Sequence, residues 1–204
     1  MSKTVGFFFD LGSPASYLAW TQLPALCARH DATLVYRPML LGGVFQATGN
    51  ASPAMVPAKG RHMLVDLSRF AERYGVAFGL PPGFPVNTLA LMRGAAGMQL
   101  RNPERFEALL ALLFNGLWAQ RRNLSDPTTL QQTLVEGGFD PEQLQALASD
   151  AEVKAQLRAT TEEAVARGVF GAPTMFVGQQ MFFGQDRLDF VEEALREGAS
   201  SRSS

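Results

Sequence analysis

Val5-Gly6-Phe7-Phe8-Phe9-Asp10-Leu11-Gly12-Ser13-Pro14, residues 5–14, decides the fold. Val5, Phe7 and Phe9 alternate with Gly6 and Phe8, and the short apolar run predicts a buried strand. Asp10 to Pro14 breaks it. Pro14 then suits the first turn of a helix, where its missing N–H costs nothing, and the spacing predicts a helix from about Pro14 to Arg29. Pro24 falls inside that helix and is expected to kink it. A second strand, Thr33 to Arg37, ends at Pro38. Strand, helix and strand with a crossover make the start of an α/β sheet.

Working outward, the middle of the chain is helical in pattern. Met63, Leu64, Leu67, Phe70, Ala71 and Tyr74 keep a 3.6-residue period, as do Phe106, Leu109, Leu110, Leu113, Phe114 and Leu117. Val153, Leu157, Thr160 and Ala164 repeat it more weakly. Further helices are expected over 86–100, 127–136 and 140–149, with Asp126-Pro127 and Asp140-Pro141 as starts. No strand is expected from 43 to 167. Strand signals return at Thr174–Val177 and Met181–Phe183 around Gly178-Gln179-Gln180, a hairpin. A last helix is expected from Arg187 to Arg196 with Asp186 as its N-cap, and the tail from 198 to 204 is expected to fray. The order is βαβ, helices, then ββα. That makes an α/β protein of thioredoxin-like fold, split as 1–42 and 168–204, with an all-helical insertion over 43–167.

Composition narrows the function. Of 204 residues, 18 are Lys or Arg and 19 Asp or Glu, so no basic excess is available to meet nucleic acid phosphates. No stretch approaches the roughly 18 apolar residues of a membrane span, and the five-residue run before Asp10 is too short for a signal-peptide core. The cytoplasm is the expected setting. A lone cysteine, Cys27, permits no internal disulfide and reads as a small buried hydrophobe. His30 and His62 lack metal-ligand spacing, so no metal is expected. Neither a G-x-S-x-G elbow nor a G-x-G-x-x-G loop occurs.

Three clusters carry chemistry. Asp10 to Tyr17 puts Ser13 and Ser16 at C-x-x-C spacing on a helix start. Serines cannot exchange disulfides, but the site could serve a thiolate brought from outside. A hydroxyl can donate to it and the helix N-terminus favours its charge. The alternative is that Ser13 only caps the helix. Gly168 to Thr174 places Ala172-Pro173 before a strand. A cis bond there would turn the Ala172 backbone toward a peptide-like ligand, whereas an ordinary strand-start proline would not. Phe183 to Arg187 offers Gln185 and Asp186, with Asp186 either meeting an ammonium group or capping a helix.

With these clusters in hand, the chain resembles the 2-hydroxychromene-2-carboxylate isomerase family, grouped with kappa-class glutathione transferases and related to DsbA-like oxidoreductases. The stretches that carry the resemblance are FFFDLGSPASYLA (7–19), RPMLLGGVFQATGN (37–50), KGRHMLVDLSRFAERYG (59–75), FPVNTLALMR (84–93) and GVFGAPTMFVGQQMFFGQDRLDFVEEAL (168–195). The resemblance implies a homodimer that binds glutathione and a small aromatic substrate. It places Ser13 at the glutathione sulfur, Ala172 beside Pro173 at the cysteinyl unit, Gln185 and Asp186 at the γ-glutamyl end, and Asn50 and Lys59 near the ligand. Some members carry a lysine in the segment that here reads Phe45-Gln46-Ala47. Arg37, Asn87 and Arg93 are the substitutes considered for holding the substrate carboxylate.

The implied reaction converts 2-hydroxychromene-2-carboxylate to trans-o-hydroxybenzylidenepyruvate in aromatic catabolism. Glutathione thiolate adds to the conjugated, ring-opened form, the new single bond turns, and thiolate loss restores the double bond. Direct attack by Ser13 is disfavoured because no base is evident beside it. A kappa-like glutathione transferase or peroxidase is the second reading, and a non-catalytic glutathione-binding protein the third.

Overall fold

The computed structural model describes residues 3–200, with side chains to 197. Strand β1 (Lys3–Phe9) is central, because its Phe7, Phe8 and Phe9 are apolar on both faces and all fully buried. It pairs in parallel with β2 (Ala32–Pro38) and antiparallel with β3 (Thr174–Val177). Strand β4 (Gln180–Phe183) closes the order β2-β1-β3-β4. The β3–β4 hairpin turns on Gly178 and Gln179 alone, with Val177 opposite Gln180, and Gly178 supplies the positive φ of 59° that such a turn demands. Gln180, expected in the turn, is the first residue of β4.

The crossover from β1 to β2 is α1 (Pro14–Arg29), which runs through Pro24 as one continuous helix. Between β2 and β3 stand α2 (Leu41–Thr48), α3 (Pro57–Tyr74), α4 (Leu89–Arg101), α5 (Pro103–Phe114), α6 (Pro127–Glu136), α7 (Pro141–Ser149) and α8 (Ala151–Ala166). No strand lies in this stretch among the described residues. Asp126, Asp140 and Asp150 each cap the helix that follows with a carboxylate on its first-turn N–H groups. The last helix, α9 (Leu188–Ser200), extends past its expected end at Arg196. Of the tail expected to fray, residues 201–204 lie outside the described residues.

One apolar cluster joins the sheet to the helices. Phe7 and Phe9 of β1 pack in it with Phe114 of α5, Trp118 and Leu91 of α4, and Phe9 meets Phe114 at 5.8 Å between ring centroids. The opposite face of β1 is smaller: Phe8 packs with Met39, Val44, Ala164, Val169 and Phe176. The helical block therefore shares its core with the sheet, and the loop after β1 emerges between them.

Candidate functional site

That loop is held by groups far away in sequence. Asp10 is 3% exposed, yet its carboxylate accepts from Gly12 N (2.8 Å), Thr88 Oγ1 (2.7 Å) and Leu41 N (2.9 Å). Burial pushes the Asp10 carboxyl above its ordinary range, and the three donors work against that rise. Leu11 N donates to Met92 Sδ at 3.2 Å, and Leu11 O accepts from Trp118 Nε1 at 2.9 Å. Trp118 sits in a π-turn, Asn115–Ala119, that continues α5. The extra residue per turn helps set where the indole falls, and π-turns often mark functional sites. Gly12 allows the close fit, since a Cβ there would stand 3.1 Å from Thr88 Cγ2.

Ser13 is thus fixed at the head of α1. Its backbone is extended (φ −95°, ψ 112°), as an N-cap requires, and its Oγ accepts from Ser16 N at 3.1 Å. The same hydroxyl donates to Ala172 O at 3.0 Å. The Ala172-Pro173 peptide is cis, which meets the alternative raised from sequence. Capping and a cross-loop contact coexist in one side chain, so the two readings of Ser13 do not exclude each other. Ser16 is fully buried, and its Oγ has no hydrogen-bond partner among the described residues.

Further groups close around the cis-proline loop. Asn50 Nδ2 donates to Phe170 O at 2.8 Å, bringing the residue after α2 to the loop that carries Ala172. Gly184 N donates to Pro173 O at 3.0 Å. Gln185 is buried, and its backbone carbonyl accepts from Tyr74 Oη at 2.6 Å; burial first, then the Asp189 carboxylate, pushes the Tyr74 phenol up to about 12. The structure therefore gathers Ser13, Asn50, Ala172, Pro173 and Gln185 about one loop. Lys59 is exposed in the first turn of α3, and among the described residues no hydrogen bond or ion pair joins it to this group.

One expectation is corrected. Asp186 does not cap α9: it lies in the 3₁₀ turn Gln185–Arg187, and its carboxylate pairs with the Arg187 guanidinium instead. Arg37, named from sequence for the substrate carboxylate, already has an acidic partner. It lies beside Phe8 on the α8 face, paired with Glu163 and stacked 5.6 Å over the Phe8 ring. Burial and the neighbouring Arg167 lower its pKa. Asn87 spends its Oδ1 on Leu89 N at the start of α4 (3.1 Å).

Two cavities border α4. One, about 740 Å³, opens among α4, α6 and α7 and includes Asn87 and Arg93 in its wall. The other, about 710 Å³, lies between α2 and α8 and also includes Arg93. Neither wall includes Ser13. Asp10, Thr88, Met92 and Trp118 escaped sequence reasoning as site residues. The one local hint was Asp10, a carboxylate directly after a buried strand.

Comparison with known proteins bears on this arrangement. Residues 4–196 match the DSBA-like thioredoxin domain family. A 2-hydroxychromene-2-carboxylate isomerase from Sphingobium xenophagum is 34% identical, over 96% of this chain and 99% of its own. Glutathione S-transferase kappa 1 of Homo sapiens is 29% identical, over 97% of this chain and 92% of its own. A solved 2-hydroxychromene-2-carboxylate isomerase structure superposes with a TM-score of 0.86 at 27% identity, covering 98% of each chain. These relatives are enzymes. The chain belongs to the DsbA-like thioredoxin family, in the branch of the 2-hydroxychromene-2-carboxylate isomerases and kappa glutathione transferases.

Proposed function

We propose that the chain is a glutathione-dependent isomerase that converts 2-hydroxychromene-2-carboxylate to trans-o-hydroxybenzylidenepyruvate, with Ser13 as its central residue. The observation that carries the reading is the pairing of Ser13 Oγ with the Ala172 carbonyl across a cis-proline loop, at a helix start. Both groups change partner readily. A hydroxyl turned from Ala172 O toward a sulfur anion keeps its bond from Ser16 N. The Ala172 carbonyl it leaves can accept from a peptide N–H. The Ala15 N–H, at the same helix start, has no protein acceptor among the described residues. These groups fit a cysteinyl peptide bearing a thiolate.

Bound glutathione would supply a nucleophilic sulfur that adds reversibly to a conjugated double bond, permitting rotation before the bond is restored. The residues of this chain do the rest. Ser13 and the α1 N-terminus favour the anion over the thiol. Ala172 orients the cysteinyl backbone. Gln185 and Asp186 are assigned to the γ-glutamyl end, where a ligand ammonium shares the Asp186 carboxylate with Arg187. Asn50 and Lys59 are assigned near the remaining carboxylate of glutathione. Asp10, Thr88, Met92 and Trp118 hold the loop so that the hydroxyl keeps its place.

An aromatic-catabolic role, a homodimer and a cytoplasmic setting belong to the same reading. Exposed apolar side chains such as Met55, Val56 and Phe190 suit a subunit interface, and the cytoplasm is where thiols stay reduced. A kappa-like transferase acting on other electrophiles keeps the same site, and the human relative favours it as second reading. The test is turnover of 2-hydroxychromene-2-carboxylate with glutathione, without it, and with S-methylglutathione. Isomerisation with glutathione alone is expected. Conjugation of electrophiles without isomerisation moves the assignment to the second reading, and glutathione-independent turnover overturns both.

A further inference from the structure

We propose that the groove between α2 and α8 takes the carboxylate end of the substrate, and that Arg93 of α4 is the residue that holds it. The inference rests on the isomerase reading and adds to it the place and partner of the substrate's charge.

The groove measures about 710 Å³, within the range of sites that enclose a small aromatic molecule. Its floor is apolar, from Leu40, Ala47, Leu157 and Val165, with Gly43 keeping α2 close against Thr161. Charged residues from α4 and α8 join the wall. Arg93, Lys154 and Arg158 face it against a single acid, Glu162. Arg158 is spoken for, since its Nε donates to Glu162 at 2.8 Å. Arg93 is half-buried and makes no hydrogen bond, ion pair or ring contact among the described residues. Lys154 is exposed and also lacks an acidic partner there. A half-buried guanidinium without an anion is a group waiting for one, and its planar fork matches a carboxylate. An apolar floor beside it selects an aromatic acid over a small inorganic ion.

The groove is tied to Ser13 through bonds already described. Its wall begins at Leu40, whose neighbour Leu41 donates to Asp10, the carboxylate that also holds Gly12. From the other side, Met92 precedes Arg93 and accepts from Leu11 N. Arg93 also stands in the wall of the second cavity along α4, so an aromatic body can extend either way from it. The other cation considered, Arg37, is committed to Glu163.

The experiment measures binding of trans-o-hydroxybenzylidenepyruvate and of its neutral methyl ester to wild type, Arg93→Gln and Arg93→Lys. Glutathione affinity and isomerase turnover are followed in the same samples, and Lys154→Met serves as the exposed control. Arg93→Gln should weaken the acid by about tenfold or more and leave the ester and glutathione within about twofold. Arg93→Lys should recover part of the loss, and Lys154→Met should cost less than Arg93→Gln. Equal weakening of acid and ester, or no weakening of either, overturns the assignment. Should wild type prefer the acid through Arg93 yet fail to isomerise, the groove stands and the isomerase reading falls. Should it isomerise while Arg93→Gln keeps its KM, the isomerase reading stands and the groove assignment falls. An Arg93→Gln chain that does not fold leaves the decision to Arg93→Lys, whose acid affinity must fall while ester affinity holds.

Discussion

Removing the Ser13 hydroxyl should separate what it does for folding from what it does for chemistry. In the structure it makes two bonds, one from Ser16 N and one to Ala172 O. Ser13→Ala loses the cap, worth about 1 kcal/mol, and leaves a part-buried carbonyl unpaired, worth about 1 kcal/mol at the lower end of the range. A chain of this size loses about 2–4 °C in Tm per kcal/mol, so a fall of roughly 4–8 °C is expected. Ser13→Gly is the companion variant. Glycine is tolerated at an N-cap to within a few tenths of a kcal/mol of serine, so its fall should be smaller. Both variants lack the hydroxyl. If that hydroxyl donates to a thiolate, both should lose kcat/KM by about 10- to 150-fold, the worth of a hydrogen bond to a charged group of about 1.5–3 kcal/mol. The thiolate absorbance of bound glutathione, titrated against free glutathione, should shift to higher pH equally in both. Activity that tracks melting temperature, or that survives in Ser13→Gly, would refute the reasoning and leave Ser13 as a cap and loop tie only.

Three further outcomes are expected. In Asp10→Asn one donor, most simply Leu41 N, faces an amide NH₂ in place of an acceptor, and a loss of about 1.5–3 kcal/mol should appear in urea unfolding. An unchanged midpoint would show that the loop does not depend on this carboxylate. Glu192 is held below its ordinary pKa by His30 first, then Arg196 and Arg29, so its contribution is present above the unfolded value and is lost as pH falls through the folded one. Glu192→Gln should therefore lower stability at neutral pH and flatten the acid limb of the stability curve, which a series of melts from pH 3 to 7 would show. Burial pushes the Cys27 thiol up to about 11, so it should resist alkylation at pH 7.5 in the native protein, and mass spectrometry finding rapid native-state labelling would contradict that environment.

Much of the fold is legible in local pattern. The Phe7-Phe8-Phe9 run marks the central strand, and Asp126-Pro127 and Asp140-Pro141 mark helix starts to the residue, because capping and proline geometry are decided within a few positions. That Ser13, Ala172 and Pro173 belong together as a candidate site is legible because strand ends and prolines flag them. The support beneath them is not. Thr88 meets Asp10 across 78 positions and Trp118 meets Leu11 across 107, and nothing in either segment announces its partner. The π-turn at 115–119 is likewise invisible, since its pattern continues the apolar spacing of α5. Asp186 shows the opposite failure. Its sequence setting suits a cap, but the adjacent Arg187 offers its carboxylate a charge, and the chain enters α9 through a 3₁₀ turn instead.

The single apolar cluster running from β1 into α4 and α5 has a consequence for how specificity can change in this family member. Two bodies with separate cores can rock about a hinge and admit ligands by opening. Here Phe9 against Phe114 and Trp118 on Leu11 bolt the helical block to the sheet, so rocking would tear contacts that also hold Ser13 in place. Entry and discrimination then fall to side chains lining a fixed wall. If the groove takes the substrate as proposed, exchange of Gln46 or Ala47 in its wall would alter which guest is accepted while the loop at Ser13 stays aligned, and a new substrate could be reached by a few surface replacements without any rebuilding of the interior.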